Sequence, residues 1–276
     1  MEEFIAVLVL YKLNLTKSKT FISILKSLQK ANTRLDLLVY DNYPAYNADL
    51  ALATGSLANI DITYYPDDDN SGVSRAYNLG QSIGKKKGKK WIILLDQDTD
   101  FPEDMVDKYI NATRTFPNDK LFSPIMFVNQ KTIISPCYFK FMRGFSASDV
   151  KTGINSLKKY SVINCGLCID INSFQENNGY NELIRLDFSD HDFIRRFKRA
   201  VTDRFIVIDL KVSHELSSAS KNSVNSDLVR FDYYLEGSKY ISSSILESIL
   251  LKFNAALRSL KLTLIHKNFS FIKKLL

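Results

Sequence analysis

The sequence predicts an α/β fold: a mostly parallel central sheet with helices on both faces and a C-terminal helical extension. Short apolar runs of strand length alternate with segments in which apolar residues recur every three or four positions. This alternation is typical of parallel strands covered by helices on both sides. The chain of 276 residues is long enough for one large domain with an appendage.

The first hundred residues supply four of the predicted strands. Each is a short apolar run bounded by polar residues, Gly or Pro: Ile5–Leu10, Leu35–Tyr40, Ile60–Tyr65 and Trp91–Leu95. Helical spacing predicts helices over 16–31 and 71–84, and Pro102 is expected to be the first residue of a third. In such sheets a ligand lies at the carboxyl ends of the strands.

The pattern changes after residue 120. Strands are predicted over 121–128, 162–171 and 204–214, and a helix is predicted to begin near Asp190. From residue 226 the chain reads as helical and amphipathic. These patterns predict a main domain over 1–225, divided at about residue 120, and a basic helical tail over 226–276.

Charge and cysteine content limit the classes of function. The net charge is +7, and the three cysteines are too few and odd in number for a disulfide framework. The acidic start does not match a secretory signal, and no apolar run reaches the roughly 18 residues of a membrane-spanning helix. We therefore expect a protein of the reducing cytoplasm.

Two basic clusters contribute to the charge. The segment 84–90, GKKKGKK, is expected to be a solvated loop at the amino end of the sheet. Residues 252–276 hold six Lys or Arg and one His but no acid. This tail fits either a helical pair packed on the domain, as at a homodimer interface, or a surface for an anionic membrane. Nucleic-acid binding is disfavoured, because acids cluster at the ligand edge of the sheet and would repel phosphate.

The stretch WIILLDQDT ends a buried strand in carboxylates. Asp96 and Asp98 lie two residues apart and share one side of the backbone, with Gln97 between them. Mg²⁺ and Mn²⁺ bind oxygen ligands, commonly one or two carboxylates together with substrate phosphate. In isolation the same pattern also fits a solvated turn.

Two further segments suit an anionic nucleotide. NSGVSRAYNLG, residues 70–80, combines a Gly-containing turn, a helix N-terminus and Arg75. Asp41 ends the second predicted strand, where a carboxylate can accept from the N–H of a pyrimidine base. Neither a P-loop nor a Gly-x-Gly-x-x-Gly fingerprint is present.

Together with VLVLYK, LLVYDN, the LDFSDHDFIRR segment (186–196) and DLKVSH, these motifs resemble the family 2 glycosyltransferases with the GT-A fold. Within that family the chain looks most like bacterial rhamnosyltransferases that use dTDP-L-rhamnose. The resemblance covers about residues 4–235 in order. It implies a nucleotide-sugar-binding half, 1–120, and an acceptor-binding half, 121–225.

The resemblance also implies roles for individual residues. Nucleotide contacts are expected at Leu10, Tyr11, Asp41, Asp68, Asp69, Asn70, Gly72, Arg75, Asp96 and Gln97. Asp98 is the expected principal ligand of Mg²⁺ or Mn²⁺, with Asp96 and His214 beside it. Asp190 is the expected general base, with Asp187 and Asp192 as alternatives.

The acceptor side is expected to involve Cys165, Gly166, His191 and Asp192. Cys165 and Cys168 are also read as buried structural thiols, and His191 equally as a plain surface residue. Relatives often have Ser-Gly where this chain has Cys165-Gly166. His266, in the tail, is expected at the surface.

The implied activity is inverting, metal-dependent transfer of L-rhamnose to a lipid-linked glycan in surface-polysaccharide synthesis. The expected location is the inner face of the cell membrane, with the tail against the lipid. A UDP-sugar donor is the alternative.

Overall fold

The computed structural model describes residues 1–47, 56–57, 59–214 and 223–275. Its centre is a sheet of eleven strands, nine of which form a continuous path in the order β11-β13-β7-β12-β5-β1-β2-β4-β3. The strands of this path are β1 Phe4–Leu10, β2 Leu35–Asp41, β3 Ser56–Leu57, β4 Ile60–Pro66, β5 Trp91–Asp96, β7 Leu121–Val128, β11 Gly153–Ser156, β12 Cys168–Asp170 and β13 Arg204–His214. Two strands lie off the path: β6 Thr99–Asp100 pairs with β13, and β8 Thr132–Ser135 pairs with β7.

The six long strands run in one direction. β1 is parallel to β2 and β5, β2 to β4, and β7 to β13, while β12 is antiparallel to both β5 and β7 and so separates two strands of the same direction. A separate hairpin is formed by β9 Cys137–Lys140 and β10 Arg143–Ser146. The expectation of a mostly parallel sheet is confirmed.

Helices cover both faces. Their ranges are α1 Lys19–Lys30, α2 Val73–Lys86, α3 Met105–Thr115, α4 Ile171–Glu176, α5 Ser189–Ala200, α6 Val224–Ile241, α7 Ile245–His266 and α8 Ser270–Lys273. Alternate residues of β1 point to opposite faces. Ala6, Leu8 and Leu10 pack in the cluster that holds α1 and α3, whereas Ile5 and Val7 pack in the cluster that holds α2, α4 and α5.

The C-terminal helices share a core with the main domain. Phe231 of α6, Leu251 of α7 and Phe271 of α8 are buried together with Ile184 and Phe188 from the segment ahead of α5. Asn70, in the predicted nucleotide loop, donates to the hydroxyl of Tyr233 on α6 at 3.1 Å. The tail is therefore part of the same packed body, and α6 begins two residues before the predicted boundary.

Two predicted elements differ from the structure. The third helix begins at Met105 rather than Pro102, because 102–104 form a turn that ends at the helix cap, Asp104. Asp100, ahead of that helix, belongs to β6 and pairs with Ser213 of β13. The strand expected over 162–171 is reduced to Cys168–Asp170, because Gly166 has a left-handed φ of 78° that breaks the extended chain.

The lysines of GKKKGKK lie at the amino end of the sheet. Lys87 and Lys89 both form ion pairs with Asp36 of β2, and the backbone of Lys90 bonds to that of Glu3 ahead of β1. This cluster is therefore far from the carboxyl ends of the strands. Among the described helices, none is long and apolar enough to cross a membrane.

Candidate active site at the carboxyl edge of the sheet

Strand register brings the predicted site residues to one edge. Val9 pairs with Asp96 across β1 and β5, and Leu10 pairs with Asp41 across β1 and β2. Because these three strands are parallel, their carboxyl ends meet, and the residues that follow them share one edge of the sheet.

Side chains of the preceding elements hold the 96–98 loop. The amide side chain of Gln97 bonds twice to the backbone of Tyr11: Oε1 accepts from the N–H at 2.8 Å, and Nε2 donates to the carbonyl at 3.2 Å. The Ser18 hydroxyl donates to the Gln97 carbonyl at 2.8 Å. Gln97 thus joins the end of β1 to the loop that carries Asp96 and Asp98.

Pairing of β6 with β13 brings His214 to this loop. Nδ1 of His214 lies 2.8 Å from Oγ1 of Thr99 and 3.5 Å from Oδ1 of Asp98. A ligand atom of Asp96, one of His214 and the Cys165 sulfur all lie within 4.8 Å of one another. The three residues predicted to hold a metal, Asp96, Asp98 and His214, are therefore gathered in one place.

The donor set decides which metal would fit. Carboxylate oxygens with one imidazole suit Mg²⁺ or Mn²⁺. Burial raises the pKa of the Cys165 thiol well above the usual value, so that thiol would act as a soft ligand only if a metal displaced its proton. Its sulfur lies 3.0 Å from Oγ1 of Thr99 and accepts from the Asp96 N–H at 3.3 Å. Cys165 supports the loop from below.

Asp96 is partly buried at the end of β5. The pKa of its carboxyl is raised to about 6: desolvation is the largest cause, the Asp98 and Asp190 carboxylates add to the rise, and His214 and the Tyr77 hydroxyl oppose it. The fully buried Tyr77 donates to Oδ1 of Asp96 at 3.2 Å. Tyr77 was not singled out in the sequence, where it reads as an apolar position of α2.

Asp41 lies inside the protein rather than in the pocket wall. It is 0% exposed, and its carboxylate accepts from the Tyr43 N–H, the Asn47 amide and the Tyr64 hydroxyl at 2.7–2.9 Å. The buried carboxylate orders the segment 42–47 after β2. In this structure its oxygens do not face an open base-binding site.

Exposed tyrosines surround the buried Asp41 network. The rings of Tyr11 and Tyr43 lie 6.2 Å apart edge to face, and those of Tyr43 and Tyr46 lie 5.5 Å apart. The ammonium group of Lys12 lies 5.1 Å from the Tyr11 ring and 5.3 Å from that of Tyr43. Of this aromatic group, sequence reasoning identified only Tyr11.

The turn after β4 is built around Asp67, which the sequence analysis passed over. Its carboxylate accepts from the Tyr40 hydroxyl at 2.8 Å and from the Ser71 N–H at 2.7 Å. This leaves Asp68 and Asp69 exposed at the surface of the turn. Asp67 thus sets the direction in which the chain enters α2.

Gly72 is required by the close approach of another segment. It has φ 90°, and a Cβ at this position would lie 2.3 Å from the carbonyl oxygen of Arg185. The N–H of Gly72 donates to the Asn42 side chain, and that of Val73 donates to the Arg185 carbonyl. The backbone N–H groups of Gly72 and Val73 therefore already donate to groups within the protein. They do not point to the anion that was expected to bind at the start of α2. Arg75 remains exposed, with a 3.2 Å bond to the Ser71 hydroxyl.

A cavity of about 1200 Å³ opens beside the predicted catalytic carboxylates. Asp96 and Asp190 both line it, as does His191. Asp190 lies in the first turn of α5, where its carboxylate accepts from the N–H of His191 at 2.7 Å. The cavity wall therefore carries both Asp96, an expected nucleotide and metal contact, and Asp190, the predicted base.

The two alternative bases are engaged in ion pairs. Asp192 is buried and paired with Arg196 at 2.9 Å, and it does not line the cavity. Asp187 lines the cavity but lies 3.6 Å from the guanidinium of Arg258 on α7. Arg195, the neighbour of Arg196 in the chain, pairs with Glu247 at 2.7 Å.

Of the four predicted acceptor residues, only His191 lines this cavity. Cys165, Gly166 and Asp192 are buried, and a Cβ at Gly166 would lie 2.6 Å from Pro124, so Gly166 is needed for packing. Nδ1 of His191 lies 2.8 Å from the Ser161 hydroxyl, and its ring lies 4.1 Å from that of Phe139.

Much of the cavity wall comes from segments that carried no motif. The β9–β10 hairpin contributes Phe139 and Arg143, and α7 contributes residues from Asn254 to His266. His266 is not a surface residue as expected: it is mostly buried and lies 2.7 Å from the Asp227 carboxylate. Only helical periodicity marked α7 in the sequence, and that signal carries no information about a pocket.

Comparison with solved structures gives the fold. S. aureus TarS in complex with UDP-GlcNAc superposes with a TM-score of 0.57 at 11% identity, covering 90% of this chain and 69% of that one. GalNAc-T7 with UDP, GalNAc and Mn²⁺ superposes with a TM-score of 0.55 at 14% identity, covering 98% of this chain and 56% of that one. This chain has the GT-A fold. No protein-family model matches it, and no curated protein does.

In this GT-A fold the cavity lies beside the edge of the sheet at which the carboxyl ends of β1, β2 and β5 meet. The aromatic group of Tyr11, Tyr43 and Tyr46 follows β1 and β2, the Asp96–Asp98 loop follows β5, and Asp190 lines the cavity from α5.

Proposed function

We propose that the protein is an inverting, metal-dependent glycosyltransferase. The observation that supports this most strongly is that Asp96 and Asp190 share the wall of one cavity in a GT-A fold, with Asp98 and His214 grouped beside Asp96. Structural neighbours with this fold include TarS in complex with UDP-GlcNAc and GalNAc-T7 with UDP, GalNAc and Mn²⁺, which supports the proposal. A bound Mg²⁺ or Mn²⁺, held by Asp98, Asp96 and His214, would neutralise charge on the departing nucleoside diphosphate.

The chain's own residues supply the remaining chemistry. Asp190 takes the proton of the acceptor hydroxyl as that oxygen attacks the anomeric carbon and the bond to the diphosphate breaks. The guanidinium of Arg75 stabilises negative charge on the leaving group. A single displacement of this kind inverts the configuration at the sugar carbon.

The tyrosine group Tyr11, Tyr43 and Tyr46 is proposed to bind the nucleobase of the donor. Tyr11 and Tyr43 present partly exposed rings beside the carboxyl ends of β1 and β2. Aromatic faces of this kind stack on a base and so contribute binding energy. Asp41 acts as a positioning residue, since its carboxylate holds Tyr64 and the segment that carries Tyr43.

For the donor we propose dTDP-L-rhamnose, on the resemblance of the sequence motifs, with a lipid-linked glycan of surface-polysaccharide synthesis as acceptor at the inner face of the cell membrane. A UDP-sugar donor is the second candidate, and the UDP complexes of TarS and GalNAc-T7 favour testing it directly. The two donors differ in base and sugar, so binding distinguishes them.

A thermal-shift screen tests the proposal. The unfolding midpoint should rise with a nucleotide sugar in the presence of Mn²⁺ or Mg²⁺ and should not rise with chelator, because only the folded state binds. A larger rise with dTDP-L-rhamnose supports rhamnosyl transfer, and a larger rise with a UDP sugar supports the alternative. Asp98→Asn should remove the metal-dependent part of the shift; an unchanged shift in that variant would exclude the metal assignment.

A further inference from the structure

Helix α7 turns its apolar side away from the protein. Six of its large apolar side chains are between 42% and 69% exposed, and they recur in steps of three or four residues, which places them in one line along the helix. This exposed stripe consists of Leu246, Ile249, Phe253, Leu257, Leu260 and Leu264. At 1.5 Å per residue it is roughly 27 Å long.

The opposite side of α7, which packs on the domain, carries polar residues among its buried positions. Asn254, Ser259 and Thr263 are buried there beside Leu251 and Ala255. A surface helix normally places its most apolar side toward the core. Here the arrangement is reversed, and a contiguous exposed apolar surface of this length marks an interaction site.

The residues that border the stripe are basic. Lys252 and Lys261 are exposed and fall on opposite sides of the line when residues are placed 100° apart, and Lys267 follows α7. Glu247 is the last acid of the sequence, and it is paired with Arg195. Both flanks of the stripe are therefore positively charged.

We propose that α7 lies on the surface of an anionic lipid bilayer. The stripe would enter the boundary between headgroups and acyl chains, and Lys252 and Lys261 would contact the lipid phosphates. The charge selects this partner over a second copy of the chain, because two such stripes packed together would bring their lysines close to one another.

The position of α7 connects this surface with the cavity. Leu257 belongs to the stripe and also lines the cavity, and Ile265, which is 60% exposed, lines it as well. An acceptor carried by a lipid could therefore enter from the membrane side without leaving the bilayer. This last point alone rests on the proposed function; lipid binding itself rests on the stripe.

Vesicle co-sedimentation of the full chain tests the inference. The protein is mixed with vesicles of phosphatidylcholine alone or of phosphatidylcholine with phosphatidylglycerol. The test variant is Leu246→Ser/Phe253→Ser/Leu260→Ser. The matched control, Ile154→Ser/Leu183→Ser/Val229→Ser, removes three apolar side chains that are 47–58% exposed elsewhere.

Wild type and control should bind the anionic vesicles. The stripe variant should bind more than tenfold more weakly, because it lacks three apolar side chains that would enter the bilayer. Lys252→Gln/Lys261→Gln should weaken binding to the vesicles that contain phosphatidylglycerol and leave binding to pure phosphatidylcholine vesicles unchanged. Equal binding by the stripe variant and the control, or no binding by wild type, overturns the proposal. A dimer in light scattering that the stripe variant abolishes, without vesicle binding, assigns the stripe to a second copy instead.

Donor binding separates this test from that of the function. The stripe variant should keep the thermal shift with nucleotide sugar and metal, since no stripe residue replaced in it lines the cavity. If the stripe variant loses vesicle binding but keeps the donor thermal shift, the loss is due to the membrane-binding surface and not to the donor site. If the wild-type chain binds vesicles but shows no donor thermal shift, the proposed transferase activity is contradicted and the proposed membrane binding is not.

Discussion

Three acids near the start of α5 differ in their surroundings, and this difference favours Asp190 as the proposed base. Asp192 pairs with Arg196, and Asp187 lies near Arg258, whereas Asp190 faces the cavity with a backbone N–H as its partner. A guanidinium at this distance occupies the carboxylate oxygens that a general base would offer to the acceptor hydroxyl. The sequence alone could not separate the three, because their partners come from different elements.

Asp190→Asn should leave the donor thermal shift nearly intact while turnover falls by about 10²–10⁴-fold, the usual contribution of a general base. The measurement is sugar transfer under saturating donor. Asp192→Asn is the matched control and should retain turnover to the extent that the fold tolerates the loss of its pair with Arg196. Turnover that survives in Asp190→Asn would move the base to Asp187.

Metal-dependent donor binding should depend on pH through Asp96. The pKa of this carboxyl is raised to about 6 by desolvation, so protons compete with the metal below that pH. Affinity for Mn²⁺ with donor should rise about tenfold per pH unit well below 6 and level off above it. Calorimetric titration across pH 5–8 would detect this; a flat profile contradicts the role of Asp96.

Tyr77→Phe should shift that profile toward higher pH. The variant removes the hydroxyl that donates to Asp96 and so stabilises its ionised form. Tyr109→Phe is the matched control, because Tyr109 is also fully buried but its hydroxyl donates to the Gly166 carbonyl. A shift of equal size in both variants would indicate a general loss of packing rather than a positioning role for Tyr77.

At the scale of elements, the entry to α2 shows how a turn can be specified by a distant segment. The Gly in NSGVSR was read from sequence as part of an anion-binding turn, but its conformation is demanded by the Arg185 carbonyl that lies against it. That contact spans more than a hundred residues of chain, so local patterns do not reveal it.

Gly72→Ala should lower the free energy of unfolding. A strained backbone conformation alone costs about 1–3 kcal/mol, and the loss should be larger here because the new methyl group also overlaps the Arg185 carbonyl. Gly153→Ala is a close control, since Gly153 has the same φ of 90° but open space around it. Urea unfolding of both variants gives the difference. Equal losses would show that the Arg185 segment yields at little cost.

At the scale of the whole molecule, the C-terminal helices complete the site rather than follow it. The sequence divided the chain at 225/226, but α6 contacts the nucleotide loop through Tyr233, and α7 forms part of the cavity wall. Phe231 and Phe271 are fully buried in the core that these helices share with Ile184. The two segments should therefore unfold as one unit.

Two phenylalanines two residues apart test this unity. Phe271 is 0% exposed and Phe269 is 71% exposed. Phe271→Ala should cost about 3–5 kcal/mol of global unfolding free energy and lower the midpoint of the whole chain. Phe269→Ala should stay within about 0.5 kcal/mol. A separate early transition in Phe271→Ala, with the main transition unmoved, would show that the tail folds independently.

The sequence by itself determined the six long parallel strands, the helices α1, α2, α3 and α5 between them, and the carboxylates at the end of β5. These features follow from local periodicity and from the direction of parallel strands. Only the tertiary structure decided that Tyr77 supports Asp96, that Asp41 is enclosed, that α7 lines the cavity, and that the apolar stripe of α7 faces outward. Periodicity reports that a helix has an apolar side but not which side meets the core, because that choice depends on contacts between residues far apart in the chain.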